Sequence, residues 1–303
     1  MQTYERVMIV RGNTGKLIKH LRQKNGVTQA QLAEKLFISQ AMLSNIENDD
    51  LQISIIDFRS AFAALGISSA DYWVIYLSVE EFESYMQYRK MKAWLGAGNI
   101  DELSEGLYAI KRSALAQRPF LSQFLAFVNI IVDEETDAVK LEALYRVLKK
   151  SVKNFEDDKI ATYRLTYSEA LIINEIALTH AALGQHSQAV ALLSGMVQNI
   201  DNWRTTIEEN KLLLPKPHVD LATLLIQDAQ YQKAVPVCES ALALVKRQMN
   251  MRFGPQAAYL LGVCYHKLDN GQCLHMLIMA YHSAMACRQN VLANKIAKEY
   301  GIS

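Results

Sequence analysis

The 303-residue chain is half hydrophobic, carries a formal net charge of +1 and contains only 5 prolines and 13 glycines. That composition suits a large buried core, and because apolar spacings of three and four recur almost throughout, it predicts an all-α protein. No run of eighteen or more uncharged apolar residues and no signal-peptide pattern is present, which excludes a helical membrane span and predicts a cytoplasmic location.

Residues 1–13, MQTYERVMIVRGN, are charged at both ends of a short apolar part and read as an N-terminal arm with no assignable role. From Thr14 to Asn48 two short helical patterns flank a fixed turn. Thr28 can cap a helix that starts at Gln29 and keeps Leu32, Ala33 and Leu36 on its inner side. Ser39 can cap a second helix after the break at Phe37 and Ile38. A helix beginning so soon must cross the first steeply, with small Ala33 at the close approach and Leu43 and Ile46 turned toward Leu32 and Leu36. The opposite face presents Gln40, Ala41, Ser44 and Asn45, short or neutral polar groups suited to base edges.

Through TQxxLAxxL and SQxxLSxIEN, residues 14–66 resemble the Cro and phage-repressor type of helix-turn-helix, the XRE family. The resemblance implies a DNA-binding domain over residues 1–66, with Gln29 on backbone phosphate and Gln40 reading a base. It implies that Asn45 reads or positions farther along the groove, with Ser39, Ala41 and Ser44 on the same contact face, and that Arg22 and Glu47 form an internal ion pair. Two positions depart from the family. Phe37 stands where glycine is usual, and a bulky residue is costly at positive φ. The arginine often found early in the reading helix is absent, which argues against strong guanine readout. Charge supports a DNA partner: between Arg6 and Asn45 seven Lys or Arg (6, 11, 16, 19, 22, 24 and 35) oppose Glu34 alone, so this stretch is at +6. Lys16 and Lys19 are its candidate phosphate contacts. The structural alternative is a helical hairpin used for packing, with a merely solvated polar face.

A helix near 54–65 and the break Gly66-Ile67-Ser68-Ser69 close the small domain, with 67–72 reading as a linker into a helical-repeat domain over 73–303. Helical patterns follow at about 70–95, 100–117, 120–132, 136–154, 160–183, 186–200, 216–227, 231–250, 254–268, 272–288 and 291–300. Three stretches align without gaps: ALTHAALGQHSQAVALL (177–193), ATLLIQDAQYQKAVPVC (222–238) and GVCYHKLDNGQCLHMLI (262–278). They lie 45 and 40 residues apart and place Ala177, Ala222 and Gly262 where paired helices touch. A helix-turn-helix unit of this size cannot bury its own apolar face, so the units stack into an α-solenoid with a concave side. The array resembles tetratricopeptide repeats, although its period exceeds the usual one of about 34 residues.

On that template the groove-facing positions are Leu171, Asn174 and Leu178, then Val219, Thr223 and Ile226, then Tyr259, Val263 and His266. Such a surface, mostly apolar with scattered hydrogen-bonding groups, suits a short hydrophobic peptide, and Asn174 offers both donors and acceptors to a peptide backbone. The alternative for Asn174 and His266 is an ordinary polar rim. A Cro-type reader followed by a peptide-sized solenoid, with AAYLLGVCYHKL and then MLIMAYHSA near the end, resembles the Rgg and PlcR (RRNPP) group of peptide-responsive quorum-sensing regulators. The resemblance implies a cytoplasmic homodimer on a two-fold site in double-stranded DNA, whose helical-repeat domain binds a short signalling peptide and so alters transcription. Two other classes compete: a ligand-independent plasmid or phage repressor whose helical domain only dimerises, and a protein-interaction adaptor that binds no DNA.

Little else in the chain carries chemistry. Cys238, Cys264, Cys273 and Cys287 are separated by 26, 9 and 14 residues, without a CxxC, and a cytosolic protein seldom keeps structural disulfides. Cys264 with His266, and Cys273 with His275, cannot chelate as pairs, because positions i and i+2 of a helix point about 200° apart. The thiols read as small buried groups, and no metal or cofactor is expected. There is no glycine-rich phosphate loop, GxSxG or HExxH, so the chain is not expected to be an enzyme.

Overall fold

A computed structural model describes residues 14–53, 55–65, 79–117, 119–133, 135–200, 214–249 and 251–302. The arm at 1–13 and the linker at 67–72 lie outside the described residues. Every regular element among the described residues is helical, and none of these helices is long and apolar enough to cross a membrane. Two compact units result, Met1–Val132 and Asp133–Ser303. Helices between 79 and 132 therefore fall in the same unit as the helix-turn-helix, whereas the sequence boundaries of 1–66 and 73–303 group them with the repeats.

The first unit holds α1 (Thr14–Lys24), α2 (Gln29–Lys35), α3 (Gln40–Glu47), α4 (Ile55–Ala64), α5 (Val79–Ala97), α6 (Ile100–Ile110) and α7 (Pro119–Val132). Helix α2 starts where its cap demands: Thr28 Oγ1 accepts from the Gln31 amide at 3.2 Å while the Thr28 amide donates to Gln31 Oε1 at 2.8 Å. Leu17, Ile18, Leu21, Leu32, Leu43, Ile46, Phe58 and Phe62 form the buried centre of the small domain. Helices α1 and α3 touch at backbone level, where a Cβ on Gly15 would lie 1.8 Å from the Ile46 carbonyl oxygen. The Gly15 amide, an orphan donor of the α1 N-terminus, donates to Asp49 Oδ1 at 3.0 Å. Phe82, Met91, Leu103, Leu107 and Phe124 make the core of α5, α6 and α7. Glu83 on α5 accepts from Lys24 on α1 at 2.7 Å and lies 2.7 Å from His20 Nε2.

The second unit holds α8 (Asp137–Leu148), α9 (Tyr167–Ala182), α10 (His186–Gln198), α11 (Lys216–Gln227), α12 (Tyr231–Gln248), α13 (Gly254–Lys267), α14 (Cys273–Ala286) and α15 (Asn290–Tyr300). The expected helix at 160–183 begins only at Tyr167, because Thr166 and Glu169 form a capping box and 157–162 is a 3-10 turn. Asn199 Nδ2 fastens that turn to the end of α10 by donating to the carbonyls of Ile160, at 3.0 Å, and Tyr163.

The three aligned stretches fall on the hairpins α9/α10, α11/α12 and α13/α14. Each turns through one residue at positive φ: Gly184 (+77°), Ala229 (+54°) and Asp269 (+51°), which occupy one repeat position. The following amide closes the turn each time, Gln185 onto His180 O (2.8 Å), Gln230 onto Leu225 O (2.7 Å) and Asn270 onto Tyr265 O (2.9 Å). Ala177 and Ala222 are buried, and a Cβ on Gly262 would lie 2.7 Å from Leu277 Cδ2, so the small residues sit at the close approach of paired helices. The same turn joins α2 to α3, where the Ile38 amide donates to Ala33 O at 3.1 Å and Phe37 takes the left-handed position at φ +56°. A phenylalanine therefore makes the turn that glycine usually makes, at a cost of roughly 1–2 kcal/mol.

Candidate functional site

Helix α3 is capped by Ser39, whose Oγ accepts from the Met42 amide at 3.1 Å. Its inner side chains, Leu43 and Ile46, are buried with Leu32 and Leu36 of α2. Gln40, Ala41 and Asn45 are exposed on the opposite side and Ser44 partly so, which leaves one face free to meet a ligand. The orientation of that face is set from below. Arg22 donates to Glu47 through Nε (2.5 Å) and Nη2 (2.8 Å), and its Nη1 donates to the Val27 carbonyl at 2.9 Å. Both side chains are buried, so this fork joins α1, the α1–α2 turn and the end of α3.

Burial alone would raise the Glu47 carboxyl, but hydrogen bonds from Arg22 and Gln29 and the charges of Arg22 and Lys19 hold it below its ordinary range. The hydrogen bond to Glu47 holds the Arg22 guanidinium above its ordinary value, against burial and with added help from the carboxylate charge. Gln29 belongs to the same network, its Nε2 donating to Glu47 Oε2 at 2.9 Å. Sequence reasoning missed this tie, which links positions 18 residues apart. The Thr28 cap of α2, by contrast, was legible, and Gln31 three residues on was the available signal for the full capping box.

Ion pairing neutralises part of the basic stretch. Arg22 is enclosed with Glu47, Lys24 is paired with Glu83, and Arg6 and Arg11 lie outside the described residues. Lys16 and Lys35 are exposed, and Lys19 is partly exposed with its Nζ 3.5 Å from Asn48 Oδ1.

In the second unit the nine groove positions do not share one environment. Asn174 (3% exposed) and Val219 (2%) are buried, as are Leu171 and Tyr259; Leu178, Thr223, Ile226 and Val263 are partly exposed and His266 is exposed. Leu178, Thr223 and Val263 occupy one repeat position, so the accessible line follows that register. Asn174 Nδ2 donates to Asp220 Oδ2 at 2.7 Å, Lys216 Nζ donates to the same oxygen at 2.6 Å, and Asn174 Oδ1 is buried without a partner among the described residues. Lys140 Nζ donates to Glu175 Oε1 at 2.6 Å beside this set. Tyr259 turns to α15, its hydroxyl donating to Glu299 Oε2 at 2.9 Å, and the His266 ring packs edge-on to Tyr300. Lys140, Glu175, Lys216 and Asp220 were not singled out from sequence; the four-residue spacing of Lys216 and Asp220 was the available signal.

Residues 18–72 match the helix-turn-helix family HTH_3. No curated protein matches the chain in sequence. Three solved structures are similar to nearly all of it. PlcR from Bacillus thuringiensis, in complex with the peptide PapR7 and DNA, superposes with a TM-score of 0.64 at 17% identity, over 95% of this chain and 100% of PlcR. ComR from S. thermophilus, in complex with DNA and its signalling peptide ComS, gives 0.57 at 15% identity, over 94% and 97%. The SHP pheromone receptor Rgg2 from Streptococcus dysgalactiae gives 0.50 at 14% identity, over 95% and 98%. The chain thus carries an HTH_3 helix-turn-helix domain within the all-helical fold that it shares with PlcR, ComR and Rgg2.

Proposed function

We propose that this protein is a cytoplasmic transcriptional regulator that binds a two-fold site in double-stranded DNA as a homodimer and responds to a short hydrophobic peptide. The observation that carries the proposal is the exposed Gln40, Ala41 and Asn45 face of α3 above the buried Arg22–Glu47 fork. A reading helix contributes specificity only if its orientation is held, and a bidentate buried pair supplies that rigidity. In this role Gln40 reads adenine through its amide, Asn45 contacts farther along the groove, Ser39, Ala41 and Ser44 line the contact, and Lys16 and Lys19 meet phosphate. Gln29 takes its place at the phosphate from the α2 N-terminus while one of its amide hydrogens remains on Glu47.

The peptide site is the accessible line of Leu178, Thr223, Ile226 and Val263, ending near His266 and flanked by Asn174. Asn174 Oδ1, buried and unpartnered among the described residues, supplies an acceptor for a peptide amide. The likeness to PlcR and ComR, both solved with peptide and DNA, supports the same pairing of ligands here.

The test uses the full-length chain on a duplex selected from a random-sequence pool. Gln40→Ala with Asn45→Ala is expected to weaken that duplex by about 10-fold to 100-fold, with the helical content kept. Unchanged affinity would leave the adaptor class in its place. Asn174→Ala is expected to alter peptide response and leave ligand-free DNA affinity unchanged, with bound peptide detected by native mass spectrometry of protein purified from its host. A protein that carries and binds no peptide points to the ligand-independent repressor.

A further inference from the structure

Phe37 combines two unfavourable properties at one place. It holds a left-handed conformation, φ +56°, in a turn that glycine would make without strain, and its side chain is 97% exposed. Among the described residues neither is repaid by contacts inside the protein: the ring does not contribute to the buried set formed by Leu32, Leu36, Leu43 and Ile46. The turn itself does not require an aromatic side chain, since the backbone bonds from Phe37 to Glu34 O (3.1 Å) and from Ile38 to Ala33 O (3.1 Å) need only the backbone.

Its position supplies the missing partner. Phe37 stands two residues before the Ser39 cap and three before Gln40, at the α3 end whose side chains are exposed for a ligand. A chain of three residues spans at most about 11 Å, so the ring lies within one or two nucleotides of whatever Gln40 touches. At that edge of the major groove a duplex presents deoxyribose carbon faces and thymine methyl groups between its phosphates, and an aromatic ring offers them apolar contact. We infer that Phe37 is a DNA-contacting residue that packs its ring on a sugar or thymine methyl group flanking the bases read by α3. The inference rests on the DNA-reading role proposed above.

The experiment measures binding of the full-length chain to the selected duplex, over a range of salt concentrations, for the parent, Phe37→Gly, Phe37→Leu and Gln40→Ala. Phe37→Gly relieves strain, so its melting temperature is expected to rise by roughly 2–4 °C. Its affinity is nonetheless expected to fall by about tenfold, as lost apolar burial demands. Phe37→Leu should keep part of that affinity. The salt slope should stay at the parent value because no phosphate charge is involved, whereas loss of a lysine contact would lower it. A Phe37→Gly protein that melts higher and binds the duplex as tightly as the parent overturns the inference. If Gln40→Ala binds the duplex like the parent, the reading role of α3 fails first, and the two failures are thereby distinguished.

Discussion

His218 on α11 is buried, and one of its ring nitrogens, Nδ1, has no hydrogen-bond partner among the described residues. Burial lowers its pKa to about 4, against a backbone hydrogen bond to Leu214 that works the other way. The native protein therefore holds this ring neutral at pH 7, whereas the unfolded chain protonates it below about 6.5. The unfolded state binds the additional proton, so stability falls as pH drops through 6.5 and the loss is complete below the folded value. Between pH 7.5 and pH 5 this one group is expected to cost about 2 kcal/mol. Urea unfolding at those two pH values checks it: His218→Gln should shrink the difference by that amount, and an unchanged difference would remove His218 as its source. Glu47 acts in the same direction in more acid solution. Its folded carboxyl is held below the ordinary 4.5, so its contribution is present above that value and is lost as pH falls through the folded one.

At the level of elements, one turn geometry recurs at many of the helix junctions. Among the described residues Gly26, Gly98, Gly184, Phe37, Asp49, Ala229, Asp269 and Arg288 all take the left-handed position between two helices, and only the first three are glycines. An L side chain there costs about 1–2 kcal/mol, while a glycine costs roughly 0.5–1 kcal/mol more in chain entropy on folding. Ala229→Gly is therefore expected to stabilise the α11/α12 hairpin by about 0.5–1 kcal/mol, read as a raised melting temperature. A lowered melting temperature would mean that the methyl group makes a contact worth more than the strain.

At the level of the molecule, two-fold DNA recognition needs two copies of the reader, because one reading helix covers too few base pairs for useful selectivity. Helix α14, CLHMLIMAYHSAMA, has no Asp, Glu, Lys or Arg, yet Leu274, Ile278 and Met285 are exposed along it. At 100° per residue these three positions fall within about 40° of one another, on a face that lacks charge as the centre of a homodimer interface does. Ile278→Glu is expected to shift the protein from dimer to monomer in sedimentation and to weaken operator binding with it. A parent chain that sediments as a monomer, alone and on DNA, would end the dimer proposal.

The amino-acid sequence by itself determined what short-range physics controls. Apolar spacing placed the helices, Thr28 and Ser39 placed the ends of α2 and α3, and the 45- and 40-residue offsets placed the three hairpins with Ala177, Ala222 and Gly262 at their contacts. Only tertiary structure decided which side chains remained available to a ligand. Packing buried Arg22 against Glu47, paired the exposed Lys24 with Glu83, drew Gln29 onto Glu47, and joined Asn174 to Asp220 and Tyr259 to Glu299 across 46 and 40 residues. Capping and periodicity act within one helical turn and can be read along the chain. Charge pairing and burial depend on distances that exist only after distant helices have packed.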